Sequence, residues 1–69
     1  MQIKYFQDTD TLYVVFKEKE VAQTKDFDEN ILVDLDAHGD VVSMTIEHAR
    51  QTADIDNFSF QQIAAEVVA

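Results

Sequence analysis

Carboxylates at alternate positions, followed by a glycine, form the first grouping in this chain that could carry chemistry. Asp34, Asp36, His38, Gly39 and Asp40 reproduce the opening of a calcium-binding loop, in which oxygen ligands recur at every second position and a glycine makes the sharp turn. Such a loop needs a bidentate glutamate at its twelfth position to complete the shell, and here that position is Thr45. The residues after Gly39 also read as a strand, where a calcium loop would lead into a helix. An Asp-rich β-turn accounts for the same residues, because aspartate side chains accept backbone N–H groups in turns and tolerate their dihedrals. The alternative reading is a weak cation- or small-ligand-binding protein that uses the acidic hairpin 34–40, with a weak, unselective cation contact at Asp34, Asp36 and Asp40.

The two imidazoles, His38 and His48, would need each other and a third ligand such as Asp34, Asp40 or Glu47 to hold a metal. A strand of roughly 3.3 Å per residue separates the hairpin tip at His38 from His48, so no metal ligands are assigned. His48 has the parity of Met44 and Ile46 and is expected half-buried at the sheet edge with a hydrogen bond. Acid–base catalysis by paired carboxylates requires one of them in an apolar pocket, and a sheet-and-helix unit of this size has little volume for one. With a single glycine there is neither a Gly-x-Ser-x-Gly elbow nor a glycine-rich phosphate loop. Without cysteine there is no disulfide, thiolate zinc site or cysteine nucleophile. The expectation is a non-enzyme with no cofactor.

The elements that would position these residues follow from periodicity. Gln2 to Phe6 and Thr11 to Lys17 are rich in aromatic and β-branched types around the polar run Gln7-Asp8-Thr9-Asp10, which predicts a β-hairpin. The second strand is apolar on both faces, as an interior strand should be. Val21 to Phe27 alternates poorly and reads as a polar edge strand. Ile31 to Asp36 and Val41 to Ile46 form a second hairpin. A four-residue loop pairs Asp36 with Val41 and sets Ile31, Val33 and Leu35 opposite Ile46, Met44 and Val42 on one apolar face. A three-residue loop with Gly39 as the left-handed bulge residue is the commoner turn, but would move Ser43 and Thr45 onto that face. Burial of six apolar side chains, at about 1.5–3 kcal/mol each, favours the four-residue loop. Asp34 and Ser43 are then expected to face water, Ser43→Asp to be tolerated and Met44→Asp to prevent folding. Ser59 with Gln62 makes a capping box, Phe58 a hydrophobic staple on Ile63, and apolar residues then recur at helical spacing. A helix over about 59–68 is predicted.

The expected architecture is a single α+β domain, residues 1–69, in which a four- or five-stranded antiparallel meander of hairpins over 2–48 carries one C-terminal helix. A chain of 69 residues builds a core only just large enough to hold it together, so burial against a second copy is a natural source of stability. The apolar helix face of Phe58, Phe60, Ile63, Val67 and Val68 is the candidate partner or dimer interface. Tyr5 and Tyr13, with Phe6 and Phe16, read as core or as an aromatic patch. Fourteen acidic against five basic residues give a net charge of -9, which disfavours nucleic acid and anionic membranes as direct ligands and attracts basic proteins or cations. No stretch is apolar enough for a signal peptide or a membrane span, and a cytoplasmic protein is expected.

The order Tyr5, Asp10, Leu12-Tyr13-Val14, Thr24, Ile31, Val33-Asp34-Leu35-Asp36, Gly39, Val42, Ile46 and Ala49 resembles a family of very short bacterial proteins known only as a domain of unknown function. Its members begin close to I-x-Y-D-x-x-x-D-x-L-Y-I and continue with D-x-D-x-x-G. The resemblance covers about residues 1–50. Departures are Phe6 where the family shows Asp, Ser43 where Gly is common, and the C-terminal stretch. It implies a small antiparallel sheet with a C-terminal helix and brings no catalytic residues. The functional expectation is a small acidic protein-interaction module that forms a homodimer, and relatives encoded beside small basic toxin-like proteins suggest an antitoxin-like role by analogy alone.

Overall fold

Five short runs of β-favouring residues pair into one antiparallel sheet in the computed structural model, which describes residues 1–65. The strands are β1 (Gln2–Phe6), β2 (Thr11–Val15), β3 (Gln23–Asp28), β4 (Ile31–Leu35) and β5 (Val41–Ile46), followed by one helical turn, α1 (Ala49–Thr52). The fold is a small α+β arrangement. No helix among the described residues is long and apolar enough to cross a membrane.

The strand order is β1-β2-β5-β4-β3, which corrects the expected meander. After β2 the chain runs to the far edge, and β5 returns between β2 and β4. The physical reason lies in strand character. β2 is apolar on both faces and needs a partner on each side, which the apolar β5 supplies. In β3 all six residues are exposed, and its polar sequence suits a strand paired on one side only.

Pairing brings like residues into rows across the strands. Ile3, Val14, Met44 and Val33 form one row, and Tyr5, Leu12, Ile46 and Ile31 the next on the same side. These rows make the apolar face. On the other side Gln2, Val15, Ser43, Asp34 and Thr24 stand in line.

In the β4–β5 hairpin the expected pairs Ile31–Ile46 and Val33–Met44 form. Nearer the turn the expectation fails, for Leu35 pairs with Val41 rather than Val42. The Asp36 N–H donates to Asp40 O at 2.9 Å, which closes a three-residue loop with Gly39 at φ +84°. The turn preference and the apolar face were not in competition. One extra residue in β5, Val42, forms a bulge that shifts the register back, so both are satisfied. Val42 is 3% exposed, and its carbonyl accepts the N–H groups of Phe16 at 2.9 Å and Lys17 at 3.3 Å.

Ser43 does lie opposite the apolar face, but it does not meet water: it is 0% exposed. Its place in the middle strand, with Val15 on one side and Asp34 on the other, lets larger neighbours close over a small side chain. Its hydroxyl donates to Asp34 Oδ2 at 2.5 Å, and Thr24 Oγ1 donates to Asp34 Oδ1 at 2.6 Å. A polar ladder thus ties β3, β4 and β5 together.

The predicted C-terminal helix is also corrected. Residues 59–65 are not helical, and residues 66–68 of the predicted span lie outside the described residues. A ten-residue amphipathic helix is marginal unless its stripe docks. Phe60 and Ile63, on that stripe, are 75% and 84% exposed and gain nothing from helix formation by docking on the sheet. The helical turn that does form, α1, begins at the fully buried Ala49.

Candidate functional site

Two polar clusters occupy opposite ends of the sheet. At the first, the loop between β1 and β2 ends in Asp10, which takes a left-handed φ of 53°, a conformation that aspartate tolerates better than most residues. This bend presents both its carbonyl and its carboxylate to the start of α1. Asp10 O accepts the Ala49 N–H at 2.9 Å, and Asp10 Oδ1 accepts the Arg50 N–H at 3.2 Å and the Tyr5 O–H at 2.6 Å. The N-cap of α1, His48, is itself left-handed and makes no side-chain cap bond. Asp10 therefore caps α1 from a distant loop, satisfying N–H groups that a helix start leaves free.

Arg50 completes the cluster. Its guanidinium carbon lies 5.5 Å from the centroid of the Tyr5 ring, within cation–π range, and Nη1 contacts Asp56 Oδ2 at 3.0 Å. The Asp10 acceptor, helped by burial, raises the Tyr5 pKa against the opposing pull of Arg50. Pairing with Asp56 raises that of Arg50. A tyrosine kept protonated and already donating is a poor nucleophile and a good clasp. Beside it, His48 Nδ1 lies 3.0 Å from Asn30 Oδ1, the hydrogen bond expected of this histidine, although the residue is exposed rather than half-buried.

At the other end, Asp36 is buried under the β4–β5 turn, at 7% exposure. Its Oδ1 accepts the N–H groups of His38 at 2.9 Å and Asp40 at 3.0 Å. Lys17 Nζ stands 3.4 Å from Asp36 Oδ2 and 3.7 Å from Asp40 Oδ2, close enough for an ion pair, though Oδ2 makes no hydrogen bond. The Asp40 N–H bond, with smaller help from His38 and Lys17, outweighs burial and lowers the Asp36 pKa below its ordinary 3.8. Since the folded value lies below the unfolded one, the charged carboxylate stabilises the fold fully above the unfolded value. That contribution disappears as pH falls through the folded value. In Asp36→Asn the melting temperature should therefore fall less steeply than in the wild type on acidification from about pH 4 to about pH 2. Identical slopes would place the acid sensitivity elsewhere.

Of the three carboxylates considered for a cation, Asp34 is engaged with Thr24 and Ser43, while Asp36 and Asp40 share Lys17. Among the described residues no group of three His, Cys, Asp or Glu side chains is placed to hold a metal ion. His38 is exposed at the turn.

A third feature is an apolar groove of about 600 Å³ on the apolar face, where Ala53, Ile55 and Phe58 come over Ile3, Leu12 and Val14. Of the interface candidates, Phe58 lines this groove and is 67% exposed, while Phe60 and Ile63 are more exposed still. Val67 and Val68 lie outside the described residues. Tyr5 and Tyr13 are half-buried, whereas Phe6 and Phe16 are 46% and 40% exposed.

The Tyr5–Asp10–Arg50 cluster is not legible as a sequence motif, because its members span positions 5 to 50 of the chain. A signal was present in Tyr5, Asp10 and Ala49, all three among the residues that carry the resemblance. No curated protein and no solved structure matches the chain. Residues 2–50, the whole sheet with the first residues of α1, match the family described as "Protein of unknown function (DUF2283)", and the chain belongs to that family.

Proposed function

We propose that the protein is a non-enzymatic interaction module, a small acidic sheet that holds another polypeptide and works as a homodimer. The observation that carries this reading is the apolar face: its rows from Ile3 to Val33 and from Tyr5 to Ile31 contain no fully buried residue in β2, β4 and β5. A sheet with one apolar face normally buries it under a second layer. Here Ala53, Ile55 and Phe58, among the described residues after the start of α1, line a groove with residues of β1 and β2. The acidic remainder of the surface stays open to a basic protein, which is the antitoxin-like form of the same reading.

The mass and the concentration dependence of unfolding test it together. Light scattering should give twice the 7.9 kDa chain mass, and the melting temperature should rise with protein concentration, because association stabilises only the folded chain. A mass of 7.9 kDa at high micromolar concentration, with a melting temperature independent of concentration, removes the homodimer.

A further inference from the structure

Resting on that reading, we infer that the second copy docks on the β4–β5 half of the apolar face, and that segment 57–65 of each copy, which is neither helix nor strand within one chain, covers this half of the other. The exposed area is the first argument. The chain exposes 5728 Å², whereas a compact monomer of its mass exposes about 4,400 Å². The surplus, roughly 1,300 Å², exceeds the ~800 Å² that each partner contributes to a standard interface.

Charge is the second argument. In a chain with a net charge of -9, two copies repel wherever their carboxylates meet. Residues 57–65, Asn-Phe-Ser-Phe-Gln-Gln-Ile-Ala-Ala, form the longest run in the sequence without a charged side chain. The two apolar rows are likewise uncharged from β1 to β4 and meet charge only at Lys25 and Asp28 of the edge strand. On these two surfaces copies can touch without like-charge contact, and among the described residues Phe60 and Ile63 stay exposed while the groove that Phe58 lines includes no residue of β4 or β5.

Reach and symmetry complete the argument. Phe58 still lines the groove over Ile3 and Val14. From there to Ile63 an extended chain advances about 17 Å, enough to cross three strand spacings of about 4.8 Å. Phe60 and Ile63, 75% and 84% exposed, leave their own sheet uncovered, while Ile31, Val33 and Met44 wait half-buried. A two-fold axis lets each copy supply what the other lacks and closes the assembly at two chains.

Phe60→Glu combined with Ile63→Glu tests the segment without touching the sheet, since both positions are exposed in the single chain. The double variant should keep the wild-type circular dichroism and lose at least ten-fold in dimer affinity. The chain has no cysteine, so Phe60→Cys and Val33→Cys proteins can be mixed and treated with a short bis-maleimide. A covalent dimer joining the two different variants is expected. A wild type that is dimeric, with an undiminished affinity in the double variant or no cross-link between positions 60 and 33, overturns this docking geometry and leaves the interaction module standing. A monomeric wild type overturns both.

Discussion

Ser43→Asp should unfold the protein at neutral pH, although strand alternation puts this position on the polar side of the sheet. The side chain is fully buried and already touches Asp34 Oδ2 at 2.5 Å. A carboxylate there would face the Asp34 carboxylate with no solvent to separate them. Like charges at such a distance cannot both remain ionised, and an uncompensated buried charge costs about 3–5 kcal/mol. Small domains have a total stability of only about 5 kcal/mol or a little more. Far-ultraviolet circular dichroism at pH 7 should show the strand signal lost. Ser43→Ala removes one hydrogen bond and leaves an acceptor lone pair of Asp34 unmatched, so its cost should be nearer 1–2 kcal/mol. Met44→Asp should also unfold the chain, by placing a charge on the apolar face. The two aspartate substitutions thus converge for different reasons. A folded Ser43→Asp protein with the wild-type melting temperature would mean that water reaches the back of β5.

Asp10→Val carries the second large effect. Valine abolishes the two hydrogen bonds to Asp10 Oδ1 and must also hold a β-branched residue at φ 53°. Lost bonds to a charged acceptor cost about 1.5–3 kcal/mol each, and the left-handed backbone adds on the order of 1–2 kcal/mol. The total approaches the whole stability of the fold. Asp10→Gly keeps the backbone geometry and loses only the side-chain bonds, while Asp10→Asn keeps an acceptor and should be mildest. Urea denaturation should rank the variants in that order, from Val through Gly to Asn. A spectrophotometric titration gives an independent check: Asp10→Asn should lower the Tyr5 pKa, because the carboxylate acceptor is the main cause of its rise. If Val and Asn cost the same, the left-handed backbone carries no strain at this loop.

Both predictions concern residues in family-matched positions 2–50, and both describe structural roles. Asp10 holds α1 against the β1–β2 loop, and Asp34 with Ser43 and Thr24 ties the second half of the sheet together. These polar groups maintain the scaffold that displays the apolar face.

By itself, the sequence determined what depends on neighbours along the chain. Alternation in Ile31–Leu35 and Val41–Ile46 is enough to pair Val33 with Met44, because a slip of one residue would turn every side chain to the wrong face. The poor alternation of Val21 to Phe27 reads as a polar edge, and Asp36 with Gly39 as a turn. Tertiary structure decided what depends on residues far apart. β5 lies beside β2 because both need apolar partners on two sides, a condition that no local pattern states. Val42 becomes a bulge because the turn and the face make demands that differ by one residue, and only their simultaneous satisfaction reveals it. Ser43 is buried by its neighbours across two strands, not by its own polarity. The capping box at Ser59 signals a helix, yet helix formation at that length requires the stripe to dock, and Phe60 and Ile63 stay exposed, off the sheet.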